Sequence, residues 1–274
     1  MRIDAHQHFW KYNPVRDAWM TEEMSVIRKD FLPGDLQAVL LKNNMDGCVA
    51  VQAAQSEEET EFLLGLAYQN AFIKGVVGWV NLRNPNLREH LSWFSQFKVL
   101  KGFRHIVQNE PDGFLLDKNF IRGIAELSNH NFTYDILIYP HQLKETIEFL
   151  SHFPNQKFVI DHLAKPYIKS GKIDDWKRDV SLCASFENVT CKLSGLVTEA
   201  HWKSWKASDF TPYLDIVLSQ FGPKRLLYGS DWPVCMLAAS YEEQLNLIED
   251  YITALSDSEK TAIMGENANH FYNL

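Results

Sequence analysis

Eight short apolar segments, spread along the whole chain, constrain its fold more than any other feature of the sequence. They are rich in β-branched residues and too short for helices, so we interpret them as strands. With 274 residues, the chain is long enough to hold eight strands in one domain. The predicted strands are residues 2–9 (RIDAHQHF), 47–53 (GCVAVQA), 73–81 (IKGVVGWVN), 99–106 (VLKGFRHI), 134–139 (YDILIY), 157–163 (KFVIDHL), 189–195 (VTCKLSG) and 225–231 (RLLYGSD).

Amphipathic segments lie between these strands, with apolar residues at helical spacing. Strands that alternate with helices pair in parallel, and eight such units predict a closed (β/α)8 barrel of the TIM type, a single domain over residues 1–274. An open doubly wound sheet is the structural alternative, but no GxGxxG fingerprint follows any strand. The predicted helices include residues 56–71, 118–130, 142–153 and 209–221, and residues 255–274 form a closing helix pair.

Charge and cysteine usage limit the partners and the compartment. The net charge of -8 argues against nucleic-acid and membrane partners, which require clustered Lys and Arg. The four cysteines have no CxxC spacing, which indicates reduced, buried thiols and neither a zinc-thiolate site nor a disulfide framework. No apolar run approaches a membrane span of about 20 residues, and no signal-peptide pattern precedes the first strand. We therefore expect a cytoplasmic protein.

His6 and His8 give the strongest chemical signal. They lie two residues apart in the first predicted strand, so both imidazoles point to the same side. Polar residues at the carboxyl ends of barrel strands are typically catalytic, and imidazole is a good ligand for zinc. The pair therefore predicts half of a divalent-metal site. The alternative is two polar side chains that are hydrogen-bonded at a strand end.

Asp231 and His162 end two further predicted strands. A carboxylate at position 231 can deprotonate an attacking water and later protonate a leaving oxygen, or complete a metal site with His6 and His8. The alternative for Asp231 is a helix N-cap, which SDWP resembles. His162 is a candidate third ligand or a donor to a substrate carbonyl, or otherwise a buried histidine. Strict alternation would point Asp161 to the opposite side.

Five other residues are candidate substrate contacts. Arg104 and His105 are neighbours, so only one of them can face the barrel interior. The planar guanidinium of Arg104 suits a carboxylate or carbonyl oxygen, although a salt bridge at the rim is equally compatible. Lys192, Tyr139 and Trp232 are placed by the same strand-end argument. Residues 10–33 and 196–208 leave the carboxyl ends of strands and are long enough to cap a pocket.

Six motifs together resemble one known family. They are DAHQHFW, FRHIVQ, VIDHLAKP, CKLSGLVTEA, FGPKRLLYGSDWPV and GENANHFY. The chain is similar over its whole length to the amidohydrolase-related sugar lactonases, which include L-fuconolactonases and L-rhamnonolactonases. This resemblance implies a distorted (β/α)8 barrel that hydrolyses a cyclic ester. It also implies that His6, His8, His162 and Asp231 surround the reacting carbonyl, with Arg104 and neighbouring residues on the substrate's oxygens.

The resemblance leaves the cofactor open. Amidohydrolases with two metals carry a bridging Lys and two further His on middle strands, whereas the fifth strand here offers Tyr139 and only His162 follows. A two-metal centre is therefore not expected. A single zinc held by His6, His8 and Asp231 and a metal-independent site are the two remaining hypotheses.

The predicted function is the opening of a sugar lactone to its aldonic acid. Asp231 activates water, while the His cluster, with or without zinc, polarises the carbonyl. A zinc-dependent decarboxylase of an aromatic or unsaturated acid is the first alternative. A non-catalytic binding barrel is the second, and it would lack the site residues that this chain keeps. The expected partner is a small sugar lactone.

Overall fold

The predicted strands form one parallel sheet that curves into a barrel, with the helices packed outside it. The computed structural model describes all 274 residues, and the strands follow one another in chain order around the sheet. The predicted (β/α)8 barrel is confirmed. The strands are β1 (Ile3–Gln7), β2 (Gly47–Val51), β3 (Ile73–Gly78), β4 (Leu100–Ile106), β5 (Thr133–Leu137), β6 (Phe158–Ile160), β7 (Val189–Leu193) and β8 (Leu226–Tyr228).

The helices bury one apolar face against the sheet. In α4, Asp117 caps the amino end by accepting hydrogen bonds from two backbone N–H groups, and Phe120, Ile124 and Leu127 are buried at helical spacing. The last two helices confirm the predicted closing pair. The helices are α1 (Pro33–Lys42), α2 (Glu57–Gln69), α3 (Leu87–Phe94), α4 (Lys118–Asn129), α5 (Leu143–Ser151), α6 (Asp174–Ala184), α7 (Ala207–Phe221), α8 (Tyr241–Tyr251), α9 (Asp257–Thr261) and α10 (Asn267–Tyr272).

The barrel is distorted where β6 and β8 end after three residues each. The predicted strands at 157–163 and 225–231 were therefore too long at their carboxyl ends. The residues after β8 close the barrel against β1. The backbone N–H of Asp231 donates to the carbonyl of His6 at 2.8 Å, and that of His8 donates to the carbonyl of Trp232 at 2.7 Å.

A bulge in β1 changes which side chains face the interior. Asp4 pairs with Cys48, but Gln7 pairs with Ala50, so one extra residue of β1 lies between the two pairs. Ala5 belongs to the apolar cluster inside the barrel, and the next residue, His6, also faces inward. His6 and His8 therefore share one side, as predicted, although the alternation is broken just before them.

Two apolar layers hold the barrel together. The larger one fills the space between the strands and the helices. The smaller one lies inside the barrel, where Phe271 and Tyr272 of α10 pack with Ile3, Ala5 and apolar residues of β2, β3, β6 and β8. The helix α10 thus closes the amino end of the barrel, and only the carboxyl end is open. None of the helices is both long and apolar enough to cross a membrane.

Candidate active site

A cavity of about 500 Å³ opens at the carboxyl ends of the strands. This volume falls within the range of small-molecule sites, about 300–1,000 Å³. His8, Arg104, His162 and Asp231 line it at the floor, where the strands end. The loop of residues 10–33 contributes Trp10, Arg16, Asp17, Trp19 and Met24 to its wall, which confirms that this loop caps the pocket.

The floor of the cavity brings His6, His8 and Asp231 together. The Nε2 atoms of the two histidines lie 3.2 Å apart. Asp231 Oδ1 lies 3.4 Å from Nε2 of His8 and 3.8 Å from Nε2 of His6. His8 Nδ1 donates to the carbonyl oxygen of Val51 at 2.7 Å, and this hydrogen bond leaves Nε2 as the atom with a free lone pair.

This donor set fits a single zinc ion. Four ligand atoms at zinc bond lengths of about 2.0–2.3 Å in a tetrahedron lie roughly 3.3–3.8 Å from one another, and the three atoms His6 Nε2, His8 Nε2 and Asp231 Oδ1 are spaced 3.2–3.8 Å apart. The three also combine two imidazoles with one carboxylate, a usual zinc ligand set. Arg104 Nη1 also lies close to this group, 3.2 Å from His6 Nε2.

The buried charged side chains at and beneath the cavity floor also favour the binding of a divalent ion. Lys192 and Arg104 are the buried cations, whereas Asp135, Asp161 and Asp231 are buried carboxylates. Lys192 Nζ lies 2.6 Å from Asp135 and 3.0 Å from Asp161, and Arg104 Nη1 lies 2.9 Å from Asp161. Asp231 has no cation of its own, and a bound divalent ion would compensate its charge.

His6 stays neutral between these charges. Burial lowers its pKa well below the ordinary value, and the nearby Lys192 ammonium acts in the same direction, while Asp161 opposes them. Its Nδ1 lies 3.3 Å from Asp161 Oδ1 and 3.1 Å from Lys192 Nζ. A histidine that binds a metal must be neutral, and a hydrogen bond at its other ring nitrogen fixes the orientation of the ring.

Asp231 is kept ionised and fixed in position. Burial raises its pKa, but the neighbouring imidazoles of His162 and His8 outweigh burial and hold the pKa below the ordinary value. Its backbone has φ +58°, a region unfavourable for residues with a Cβ. Asp4 supports this segment, because its carboxylate accepts hydrogen bonds from Ser230 N at 2.9 Å and Ser230 Oγ at 2.6 Å.

His162 begins a left-handed turn that continues through Leu163, Ala164 and Lys165, with φ between 49° and 57°. Its Nδ1 lies 2.8 Å from Ser194 Oγ, and its Nε2 lies 3.9 Å from Asp231 Oδ1. Burial lowers the pKa of His162 to about 4. The imidazole is therefore neutral at pH 7, and Nε2 carries the proton when Ser194 donates to Nδ1.

A family model for amidohydrolases matches residues 3–274 of the chain. The chain belongs to the amidohydrolase family. An L-fucono-1,5-lactonase from Burkholderia multivorans is 40% identical to this amidohydrolase over 286 residues, which cover 100% of the chain and 96% of the relative. Another L-fucono-1,5-lactonase, from Burkholderia ambifaria, is 34% identical over 280 residues, with the same coverage of 100% and 96%.

The fold of a solved amidohydrolase agrees closely with this one. The crystal structure of an amidohydrolase from Burkholderia multivorans with bound zinc has a TM-score of 0.96 and 40% sequence identity. The match covers 100% of this chain and 99% of that structure. The family resemblance drawn from the six motifs is thereby confirmed.

The structure changes the placement of three predicted substrate contacts of the amidohydrolase. Lys192 is completely buried beneath His6 and does not line the cavity, because its ammonium is held by Asp135 and Asp161. His105 points away from the barrel interior, since its neighbour Arg104 points inward, and its ring stacks on Phe114 at 4.7 Å between centroids.

Trp232, the third of these, packs outside the cavity. Its ring lies 6.3 Å from that of Phe9 and 5.1 Å from that of Phe31, measured between centroids. Trp232 therefore packs against the loop of residues 10–33 and does not line the substrate cavity. Tyr139 does line the cavity, as does Arg104, and their role as substrate contacts stays a prediction.

Asp161 does not point to the opposite side from His162, so the prediction from strict alternation was wrong. Asp161 and His162 both face the interior, because the chain leaves the strand after Ile160 and enters the left-handed turn. The sequence reasoning also missed Lys165, Arg16 and Trp19 in the cavity wall. The motif VIDHLAKP carries Lys165, but the strand pattern gives no sign of the turn that directs it inward.

Proposed function

We propose that this amidohydrolase hydrolyses a sugar lactone to the open-chain aldonic acid. The observation that carries the proposal is a single ionised carboxylate, Asp231, which lies within 3.4–3.9 Å of Nε2 atoms of three histidines at the floor of a cavity of about 500 Å³. The similarity to two lactonases over the whole chain supports the same reaction class.

Asp231 is the proposed base. Its carboxylate takes a proton from a water molecule as the water attacks the lactone carbonyl, and it later returns the proton to the departing ring oxygen. The Nε2–H of neutral His162 donates a hydrogen bond to the carbonyl oxygen, which becomes an oxyanion in the tetrahedral intermediate. A zinc ion held by His6, His8 and Asp231 would supply Lewis-acid polarisation at the same place.

The cavity wall fits a sugar ring. Trp10 and Trp19 line it, and aromatic side chains are a usual packing surface for the apolar face of a sugar. Gln55 and Gln108 supply amide groups for hydroxyls, and the side-chain Oε1 of Gln108 has no hydrogen-bond partner. L-Fucono-1,5-lactone, which the two relatives' names give, is the first substrate to assay. A cytoplasmic location belongs to the proposal as a prediction from sequence.

A pH-indicator assay against a panel of aldono-lactones tests the proposal. The purified protein is measured as isolated, after chelation and with zinc restored, which also shows whether the reaction requires a metal. Asp231→Asn should lower kcat/KM by roughly 10²- to 10⁴-fold, because the general base is lost. Asp112→Asn, a substitution of an exposed carboxylate, serves as the matched control.

Two results would contradict the proposal. Near-wild-type hydrolysis by Asp231→Asn would show that Asp231 is not the general base. The protein could also release no acid from any lactone with zinc present but release carbon dioxide from an aromatic acid. That result would show that it is a decarboxylase and not a lactonase.

A further inference from the structure

The left-handed turn after β6 places Lys165 beside His162 at the cavity. Four consecutive residues other than glycine have positive φ, from His162 at 52° to Lys165 at 49°. Each such residue costs about 1–2 kcal/mol relative to the right-handed form. Residues three apart on one helical turn lie on the same side, and both His162 and Lys165 line the cavity. Strain of this kind clusters at functional sites.

Neighbouring side chains hold the turn in this conformation. The indole N–H of Trp176 donates to the carbonyl of Leu163 at 2.7 Å, and the backbone N–H of Lys165 donates to the carbonyl of His162 at 2.7 Å. Leu163 and Ala164 are completely buried. The position of the Lys165 backbone is thus fixed by packing before any ligand binds.

The ammonium group of Lys165 has unused donors. Its Nζ lies 3.5 Å from Glu199 Oε1, which is beyond a good hydrogen bond, and 5.5 Å from the centroid of the Tyr139 ring. The side chain is 19% exposed. An ammonium offers three N–H donors, so two or more of them are free to bind oxygen atoms in the cavity.

We propose that Lys165 binds hydroxyl oxygens of the sugar ring and so makes the enzyme prefer hydroxylated lactones. This role rests on the proposed lactonase function. Tyr139 and Glu199 keep the Lys165 side chain along the wall, next to His162. A hydroxyl held there orients the lactone with its carbonyl toward His162 and Asp231, at the floor of the cavity.

A comparison of two substrates tests the role of Lys165. Steady-state rates of Lys165→Met are measured on an aldono-lactone and on δ-valerolactone, a lactone without hydroxyl groups. We expect kcat/KM on the aldono-lactone to fall about 10- to 100-fold, mostly through KM, because a charge-assisted hydrogen bond is lost. The value on δ-valerolactone should change less than twofold. If δ-valerolactone turns over too slowly, its inhibition constant gives the same comparison.

Two further variants separate binding from folding. Lys169→Met removes an exposed lysine from the same loop. It should leave kcat/KM unchanged on both substrates. Lys165→Met/Glu199→Gln removes the carboxylate that Lys165→Met leaves without its partner, and it should show the same selective loss on the aldono-lactone.

The outcomes distinguish this role from the lactonase proposal. An equal loss of kcat/KM on both substrates, or no loss on either, would overturn the role of Lys165 while leaving the lactonase function standing. A wild-type protein that hydrolyses no lactone would overturn the proposed function and this role together.

Discussion

Substitution of Lys192 by methionine tests whether the interior ion network of the barrel is structural. The Lys192 side chain is completely buried, and its Nζ lies 2.6 Å from Asp135 Oδ2 and 3.0 Å from Asp161 Oδ1. Methionine preserves most of the volume and removes the charge. Asp161 keeps Arg104 at 2.9 Å, but Asp135 keeps only the hydroxyl of Tyr272, at 2.7 Å.

The expected loss of stability is large, because one partner of a buried ion pair is removed. Such changes cost about 3–5 kcal/mol in the free energy of unfolding. For a chain of this size, about 2–4 °C of melting temperature is lost per kcal/mol. Lys192→Met should therefore melt roughly 6–20 °C below the wild type at pH 7.

The loss should also depend on pH. Burial raises the pKa of Asp135 from 3.8 to about 6, although Lys192 lowers it. A carboxyl group with a raised pKa in the folded state stabilises the fold below its unfolded pKa, and this contribution is lost as pH rises through the folded value. Without Lys192 the pKa of Asp135 rises further. The stability deficit of Lys192→Met should therefore be smallest near pH 4–5 and largest above pH 6.

Urea denaturation followed by circular dichroism, at several pH values, measures this deficit. Lys192→Met/Asp135→Asn removes the uncompensated charge and should recover at least half of the lost stability. If Lys192→Met were as stable as the wild type at pH 7 and instead raised KM, Lys192 would be a substrate contact and the structural role would be refuted.

Two other substitutions test the geometry of the site. In Gly195→Ala, the new Cβ would lie 2.4 Å from Nδ1 of His162, at a backbone with φ +62°, so kcat/KM should fall at least tenfold. Gly171→Ala, with φ +66° and no neighbour within 4 Å, is its control, and an equal loss of activity there would contradict the explanation. His105→Phe should change kcat/KM less than threefold, because His105 lies outside the cavity, but it should lower the free energy of unfolding by about 1–3 kcal/mol since Trp79 loses a hydrogen-bond acceptor. Thermal unfolding and the indicator assay measure both effects. A large rise in KM would instead show that His105 contacts the substrate.

Much of the site follows from local patterns. The alternation of strands and helices predicts the barrel, and the strand-end rule predicts His8, Arg104, Tyr139, His162 and Asp231, all of which line the cavity. His6 lies directly beneath them. These residues could be found because each one stands at the end of a segment whose hydrophobic period is visible in the sequence.

The wrong prediction for Asp161 and the unpredicted bulge in β1 have a common cause. A strand pattern predicts on which side each residue lies only while the backbone keeps its period. The left-handed turn after Ile160 breaks that period and turns both Asp161 and His162 inward. The bulge in β1 has the same effect before His6. Neither feature contains a glycine, so no residue type marks it in the sequence.

The sequence by itself determined the barrel, the order of its strands and the residues at its carboxyl end, because these depend on periodicity within short segments. Only the tertiary structure decided that Lys192 is an interior ion-pair partner, that Arg104 rather than His105 faces inward, and that Lys165 reaches the cavity. The physical reason is that buried charges and strained turns are stabilised by residues far away in the chain. Lys192 and Asp135 are 57 positions apart, and no local pattern connects them.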